Sequence, residues 1–409
     1  MDQAMNALPA HVDPMGRGRR ESTMGDKNPR YEGSMVFLPD VSLLRPGDII
    51  LTSTMESQDE RSLEISRRVR EAAGSRFSHV LICTSPPTFA EAGSEGVSSL
   101  SLANCFVHAI ENVRAFRHPD ETVARRAASH AQMGVGREYS LRQARQSVLP
   151  AGTGKATAGD DGTFCSAYVA QAFVMAGAEE FAAVSIERTT PATIEKIEGL
   201  VDITSVIFQR ALAPRNVEAM TALDGDYAPT PSSPQTETFQ RYAKAALPRA
   251  ERLVNMFPEA GLERQTTYFG MLLLILNADA STLKIAEGRR LDFLRAITEL
   301  DDALATQQAD GAIEGFFADI VASDNRQMER DLRESFSATP DIDVRALRSQ
   351  YDARERSLVE RQRALVSMSV GRKWRSIDAH CSMQEDSIAF ASRMQKALQE
   401  ILTRLGDPG

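Results

Sequence analysis

Cys165, His79 and Glu91 are the residues whose types and spacing allow acyl-transfer chemistry. Cys165 follows the Gly-rich stretch 151–163 and opens the run Phe164 to Phe173. There Tyr168, Ala172 and Met175 share one helical stripe, and Gly177 supplies the stop. A cysteine at a helix start meets unpaired backbone N–H groups and the positive end of the helix dipole, which favour an anionic sulfur. Such a nucleophile needs a base and a third group to hold that base in the right tautomer. His79 opens the apolar run His79-Val80-Leu81-Ile82-Cys83, a predicted strand. Glu91 lies on the next predicted strand, where its carboxylate can accept from the far ring nitrogen of His79. Tyr139 and Ser166 are candidates to line the substrate pocket, and the Cys165 backbone N–H is a candidate oxyanion donor.

Each residue also has a plainer role open to it. A small cysteine at a helix start packs well in a core, a strand histidine commonly bonds to backbone, and a strand carboxylate commonly faces water. Tyr139 fits a core or corner position equally well. Cys105 and His108 lie three apart but lack a helix start and a supporting acid in the pattern. Cys83 falls inside an apolar strand and reads as core. Asp48, Asp160 and Asp161 read as turn residues. His380-Cys381, with Asp378 nearby, lacks a full ligand set, and no Cys/His cluster has zinc spacing. No metal or organic cofactor is expected.

These residues sit in a chain that changes character along its length. Residues 1–35 mix Gly, Pro, Asn, Arg and Met without periodicity and read as a disordered tail. A turn at Pro46-Gly47-Asp48 leads into a strand over 48–52, followed by a helix over 60–73. Strands are expected over 79–83, 88–92, 97–100 and 112–117, and a helix capped by Asp120 runs to about Met133, ended by Gly134. A Pro/Ser/Thr linker covers 226–236. From 237 to 409 the pattern is helical, with expected helices at 237–257, 264–278, 281–308, 311–322, 325–336, 341–369 and 373–405. Val344, Tyr351, Leu358 and Leu365 recur at heptad spacing, and Met394, Leu398, Ile401 and Leu405 follow on the last helix.

The ordered set of pieces resembles the circularly permuted papain-like fold of the NlpC superfamily, including the YiiX-like proteins. The resemblance runs through Pro46-Gly47-Asp48-Ile49-Ile50, Ser78-His79-Val80, Phe89-Ala90-Glu91-Ala92, the strand from Val113 to Arg117, Gly136 to Ser140, and Phe164-Cys165-Ser166, ending near Thr190-Pro191. It covers about residues 43–210. It implies a histidine that precedes the cysteine in sequence, the reverse of papain order, and a polar strand residue that completes a triad. The long charged insertion before His79 and the long loop before Cys165 depart from the pattern, and they bear on substrate more than on the triad. The expected fold is therefore α+β: a papain-like domain at 36–225, a small antiparallel sheet packed on helices, followed by an all-α domain at 237–409.

Three functions stay open. A cysteine hydrolase would cleave an amide or thioester through acyl-Cys165. An acyltransferase would pass the same acyl group to an amine, hydroxyl or lipid. A non-catalytic adaptor would use the helical half to bind a protein partner or a second copy. The substrate classes are acyl compounds, peptides or lipids. Because all candidate catalytic residues precede residue 210, fragment 36–225 is expected to fold and react alone.

Composition narrows the setting. With 409 residues, 42% apolar and 25% charged, the chain has material for a sizeable core. A net charge of -9 disfavours general nucleic-acid binding. The longest apolar run, Met271 to Leu276, is too short to span a bilayer. With no apolar leader visible, a cytoplasmic location is expected, signal-independent export being compatible with the same sequence.

Overall fold

In a computed structural model of the chain, the described residues are 34–53, 60–93, 96–147, 162–213, 220–225, 234–312 and 344–404. The strands are Met35–Pro39 (β1), Ile49–Thr52 (β2), His79–Ser85 (β3), Thr88–Gly93 (β4), Gly96–Ser101 (β5), Cys105–Phe106 (β6), Val113–Arg117 (β7), Val201–Asp202 (β8), Phe208–Leu212 (β9) and Thr221–Ala222 (β10). The helices are Glu60–Ala73 (α1), Glu121–Met133 (α2), Leu141–Ser147 (α3), Cys165–Ala176 (α4), Glu179–Ala182 (α5), Pro191–Glu195 (α6), Thr204–Ile207 (α7), Pro234–Met256 (α8), Tyr268–Ala280 (α9), Arg290–Gln308 (α10), Val344–Ser369 (α11) and Arg375–Arg404 (α12). The protein is α+β.

Six strands form one antiparallel sheet in the order β5-β4-β3-β2-β7-β8. Side chains alternate across it. Ile49, Leu51, Val80, Ile82, Ala90 and Ala92 pack with Ala127 and Ala131 of α2 and with Val169 and Phe173 of α4. Ile50, Leu81, Cys83, Phe89, Val113 and Ala115 pack on the other side with Ile203, Ile207, Phe208 and Leu223. Both faces are covered, so the central strands are unbroken apolar runs rather than alternating ones.

Helices α2 and α4 cross closely because small residues line the contact. A Cβ at Gly134 would stand 2.6 Å from the Tyr168 ring, so only glycine fits there without displacing it. The Tyr168 hydroxyl donates to the Ala131 carbonyl and anchors α4 on the end of α2. Asp120 caps α2 by accepting from Thr122 and Val123 N–H, and Gly177 closes α4 in the left-handed conformation at φ 86°.

The helical half has its own core. Phe239, Tyr242 and Leu253 of α8 meet Tyr268, Met271 and Ile275 of α9, Phe293, Ile297 and Leu300 of α10, and Ile377 and Cys381 of α12. Helices α11 and α12 pair as a hairpin in which Met394, Leu398 and Leu402 are buried and Tyr351, Leu358 and Leu365 half-buried. Phe269 packs against both this core and the helix-facing core of the sheet.

The structure corrects several expected boundaries. Met35 begins β1, which pairs antiparallel with β9 from Met35↔Leu212 to Pro39↔Phe208, so the tail expected over 1–35 ends earlier; residues 1–33 lie outside those described. Pro234 already belongs to α8, inside the expected linker. The helix expected over 281–308 starts only at Arg290; two short 3-10 turns precede it, where buried Ile285 dips into the core. The helices expected at 311–322 and 325–336, apart from Gly311 and Ala312, lie outside the described residues, as do Asp160, Asp161 and Leu405.

Candidate active site

Strand β3 starts at His79, opposite Thr52 of β2. Register places Glu91 of β4 opposite Leu81, one diagonal step from His79. Across that diagonal, His79 Nε2 donates to Glu91 Oε2 at 2.8 Å. The Glu91 side chain is 4% exposed and that of His79 18%, so the pair is shielded while an edge of the imidazole reaches the surface.

Cys165 is the first residue of α4 and is 8% exposed. The residue before it, Phe164, has extended backbone and no side-chain cap bond. The amides of the first turn are therefore not consumed by a capping side chain, which keeps them available to an anion. The Cys165 sulfur is a hydrogen-bond partner of the His79 side chain. Burial by itself would lower the His79 pKa, but the Cys165 sulfur and the Glu91 carboxylate outweigh it and push it up to about 10.

Tyr139 is half-buried and packs against the same core as Cys165. Burial raises its phenol pKa, and proximity to Cys165 raises it further. Its backbone forms a bridge with Thr163, two residues before the cysteine. Thr163 N donates to the Glu138 carbonyl at 2.9 Å, and Ser140 N donates to the Thr163 carbonyl at 2.7 Å. Tyr139 thus lies beside the sulfur on the segment that fixes the approach to α4.

Ser166 does not join the substrate side of the site. It is 1% exposed, and its hydroxyl donates to the Thr189 carbonyl at 2.7 Å. It pins the start of α4 to the turn before α6, whose N-terminus Thr190 caps by accepting from Thr193 N.

The other sequence candidates fall elsewhere. Cys105 is buried and donates to the Ser101 carbonyl at 3.4 Å, whereas His108 Nδ1 meets Asp224 Oδ1 at 2.8 Å. Asp224 also accepts from His108 N, Ala109 N and Asn112 Nδ2, so it clamps β10 to the turn before β7. Asp48 is buried and paired with Arg117 at 2.7 Å. Among the described residues, no group of three or more His, Cys, Asp or Glu is placed to hold a metal, and no helix is long and apolar enough to cross a membrane.

Sequence reasoning passed over Arg137. Its guanidinium donates from Nη1 to Gln171 Oε1 at 2.7 Å and from Nη2 to the Gly162 carbonyl at 3.4 Å. The only local signal is its place between Gly136 and Tyr139 in the segment leading to the site.

Comparisons of the chain with protein-family models, with curated proteins and with solved structures gave no match.

Proposed function

We propose that the protein is a cysteine-dependent acyl hydrolase with Cys165 as nucleophile, His79 as acid–base and Glu91 as the group that orients His79. One observation carries this reading: the His79 side chain interacts both with a sulfur at a helix N-terminus and with a buried carboxylate. The order His79, Glu91, Cys165 and an antiparallel sheet packed against the cysteine helix support placing residues 43–210 with the permuted papain-like, YiiX-like proteins.

The chemistry follows from the positions. The Cys165 sulfur attacks the carbonyl carbon of an amide or thioester, and the carbonyl oxygen takes the electron pair. First-turn amides of α4, that of Cys165 first, stabilise this oxyanion. His79, protonated by the thiol, gives its proton to the leaving amine or thiol as the C–N or C–S bond breaks. Water then attacks acyl-Cys165 with His79 taking its proton, which releases a carboxylic acid and restores the thiol. An amine or hydroxyl acceptor in place of water gives acyl transfer from the same intermediate.

Intact-mass analysis after exposure to a panel of acyl thioesters and amide electrophiles tests the reading. The expected result is one acyl adduct on the wild-type chain and none on Cys165→Ala. Adding an amine during turnover measures how the acyl group divides between water and acceptor. An unmodified wild-type chain across the panel, with the same electrophiles modifying a free thiol, would overturn the proposal.

A further inference from the structure

We propose that Arg137 is a positioning residue that fixes the N-terminus of α4, and so the Cys165 sulfur, relative to the sheet that carries His79 and Glu91. Arg137 ties both the approach to α4 and the body of α4 to the same point. Its Nη2 holds the Gly162 carbonyl at 3.4 Å, three residues before the cysteine, and its Nη1 holds Gln171 Oε1 at 2.7 Å, six residues after it. Six residues are about 9 Å along a helix, a distance bridged by the guanidinium, its two bonds and the Gln171 side chain together. A planar guanidinium can make two such bonds in fixed directions, whereas an ammonium is a point donor.

The backbone of Arg137 is in turn locked to the sheet. Val97 N donates to the Arg137 carbonyl at 2.8 Å, and Gly136 N donates to the Val97 carbonyl at 2.9 Å. Val97, the second residue of β5, lies opposite Ala92, next to Glu91 on β4. One residue therefore connects the strand pair bearing Glu91 to the helix bearing Cys165. The contact is tight: Gly96 has φ +112°, and a Cβ there would stand 2.8 Å from the Arg137 carbonyl oxygen and 3.0 Å from Gln240 Nε2 of α8. The helical half thereby closes over the backbone that holds Arg137, with Phe239 and Gln240 also lying against Gly136.

The effect on Cys165 reactivity rests on the thiol–imidazole reading above; the effect on the start of α4 does not. Two measurements separate them, made on the full-length chain as Arg137→Ala, Arg137→Lys and Gln171→Leu. The first is amide hydrogen exchange over 164–168. Faster exchange in Arg137→Ala than in wild type, with exchange in α10 unchanged, is expected. The second is the rate of Cys165 alkylation by iodoacetamide. Arg137→Ala should lower it by about tenfold to a hundredfold, the scale of a misplacement of about 1 Å at a reacting pair. Arg137→Lys should recover only part of this, and Gln171→Leu, which keeps the arginine, should show a smaller loss of the same kind. With an activated acyl substrate, kcat normalised to the fraction of chain carrying a titratable Cys165 should fall while KM stays nearly unchanged; the normalisation separates this from destabilisation, which lowers only the active fraction. Wild-type exchange at 164–168 in both Arg137→Ala and Gln171→Leu would overturn the proposal, as would full reactivity in Arg137→Ala. If Arg137→Ala fails to fold, Gln171→Leu decides by the same two readouts. Altered exchange together with an unreactive wild-type Cys165 would sink the hydrolase reading and leave the positioning role standing.

Discussion

The Thr267 hydroxyl donates to the Met133 carbonyl at 2.6 Å and joins the helical half to the end of α2. The same oxygen accepts from Gly270 N at 3.1 Å as the N-cap of α9, so one side chain serves both halves. Thr267→Val loses both bonds and should cost about 1–3 kcal/mol, the sum of a cap and a hydrogen bond. Thr267→Ser keeps the hydroxyl and should cost less than half as much. Urea unfolding of the two variants checks this.

Fragment 36–225 lacks Thr267, Phe269, Phe239 and Gln240, all of which lie against the segment from Met133 to Gly136 or against the core behind it. The expectation that the fragment folds and reacts alone leaves out these contacts. With them removed, we predict that Cys165 in the fragment is alkylated about tenfold more slowly than in the full chain, on the scale of sub-ångström misplacement. Equal rates in fragment and full chain would show that the helical half is dispensable to the site.

Among the four cysteines, Cys165 should be alkylated first near neutral pH. Burial holds the thiols of Cys83 and Cys381 above the ordinary range and pushes that of Cys105 up to about 12. Cys165 instead has His79 beside it and the first turn of α4 around it. Iodoacetamide labelling followed by peptide mapping gives the order. Removing the sulfur in Cys165→Ala should abolish acyl turnover. Glu91→Gln should lower kcat by about 10- to 1000-fold, because an amide still bonds the ring but no longer favours its charged form.

The titration of His79 has a definite sign. Its pKa stands at about 10 in the folded chain against an ordinary 6.5, because the sulfur and Glu91 outweigh burial. A proton held more tightly in the folded state stabilises it fully below about pH 6.5; the gain declines as pH rises and is gone above about 10. The ring proton signals of His79 should accordingly titrate near 10 in wild type. In Cys165→Ala and Glu91→Gln the midpoint should fall, because burial then acts with one opposing partner fewer. A wild-type midpoint near 6.5 would contradict the sulfur–imidazole contact.

Local signals carried much of this fold, and long-range ones did not. Helix α1 was legible to its ends, Glu60 and Ala73, from the one-face spacing of Ile65, Val69 and Ala72 in a charged stretch, and Gly177 marked the end of α4 because the left-handed turn there favours glycine. Strand β1 was not legible. Its partner β9 lies about 170 residues away and a five-residue run has no periodicity of its own. The nucleophile and its neighbours were readable as residue types at element boundaries. Ser166 was misassigned because its position beside Cys165 suggests substrate, whereas its hydroxyl is taken by a carbonyl 23 residues on. Arg137 was overlooked for the same reason: its partners lie 25 and 34 residues away and nothing local announces them.

His380 is a buried histidine whose charging opposes the folded helical half at acid pH. It is 4% exposed, near the start of α12, and its Nδ1 lies 3.2 Å from the Tyr268 hydroxyl. That hydroxyl also accepts from Gln308 Nε2 at 2.7 Å, while the Phe269 ring stands edge-on to the imidazole at 5.6 Å between centroids. No carboxylate is among these neighbours, so burial alone acts and pushes the His380 pKa down to about 4. The unfolded chain, with an ordinary value of 6.5, binds this proton more readily than the folded one. Stability therefore falls as pH drops from about 6.5 and levels off below about 4, where both states are protonated. Tyr268→Phe removes the hydroxyl that meets His380 but keeps the ring, and it should leave the direction of this dependence unchanged. His380→Gln removes the titrating group and should flatten the loss between pH 6.5 and 4, although it lowers stability at neutral pH. Urea unfolding of wild type and His380→Gln at pH 7, 5.5 and 4.5, read from the single tryptophan, Trp374, which packs against the helical core, measures the difference. Parallel curves in the two proteins would show that the acid sensitivity of this half arises from groups other than His380.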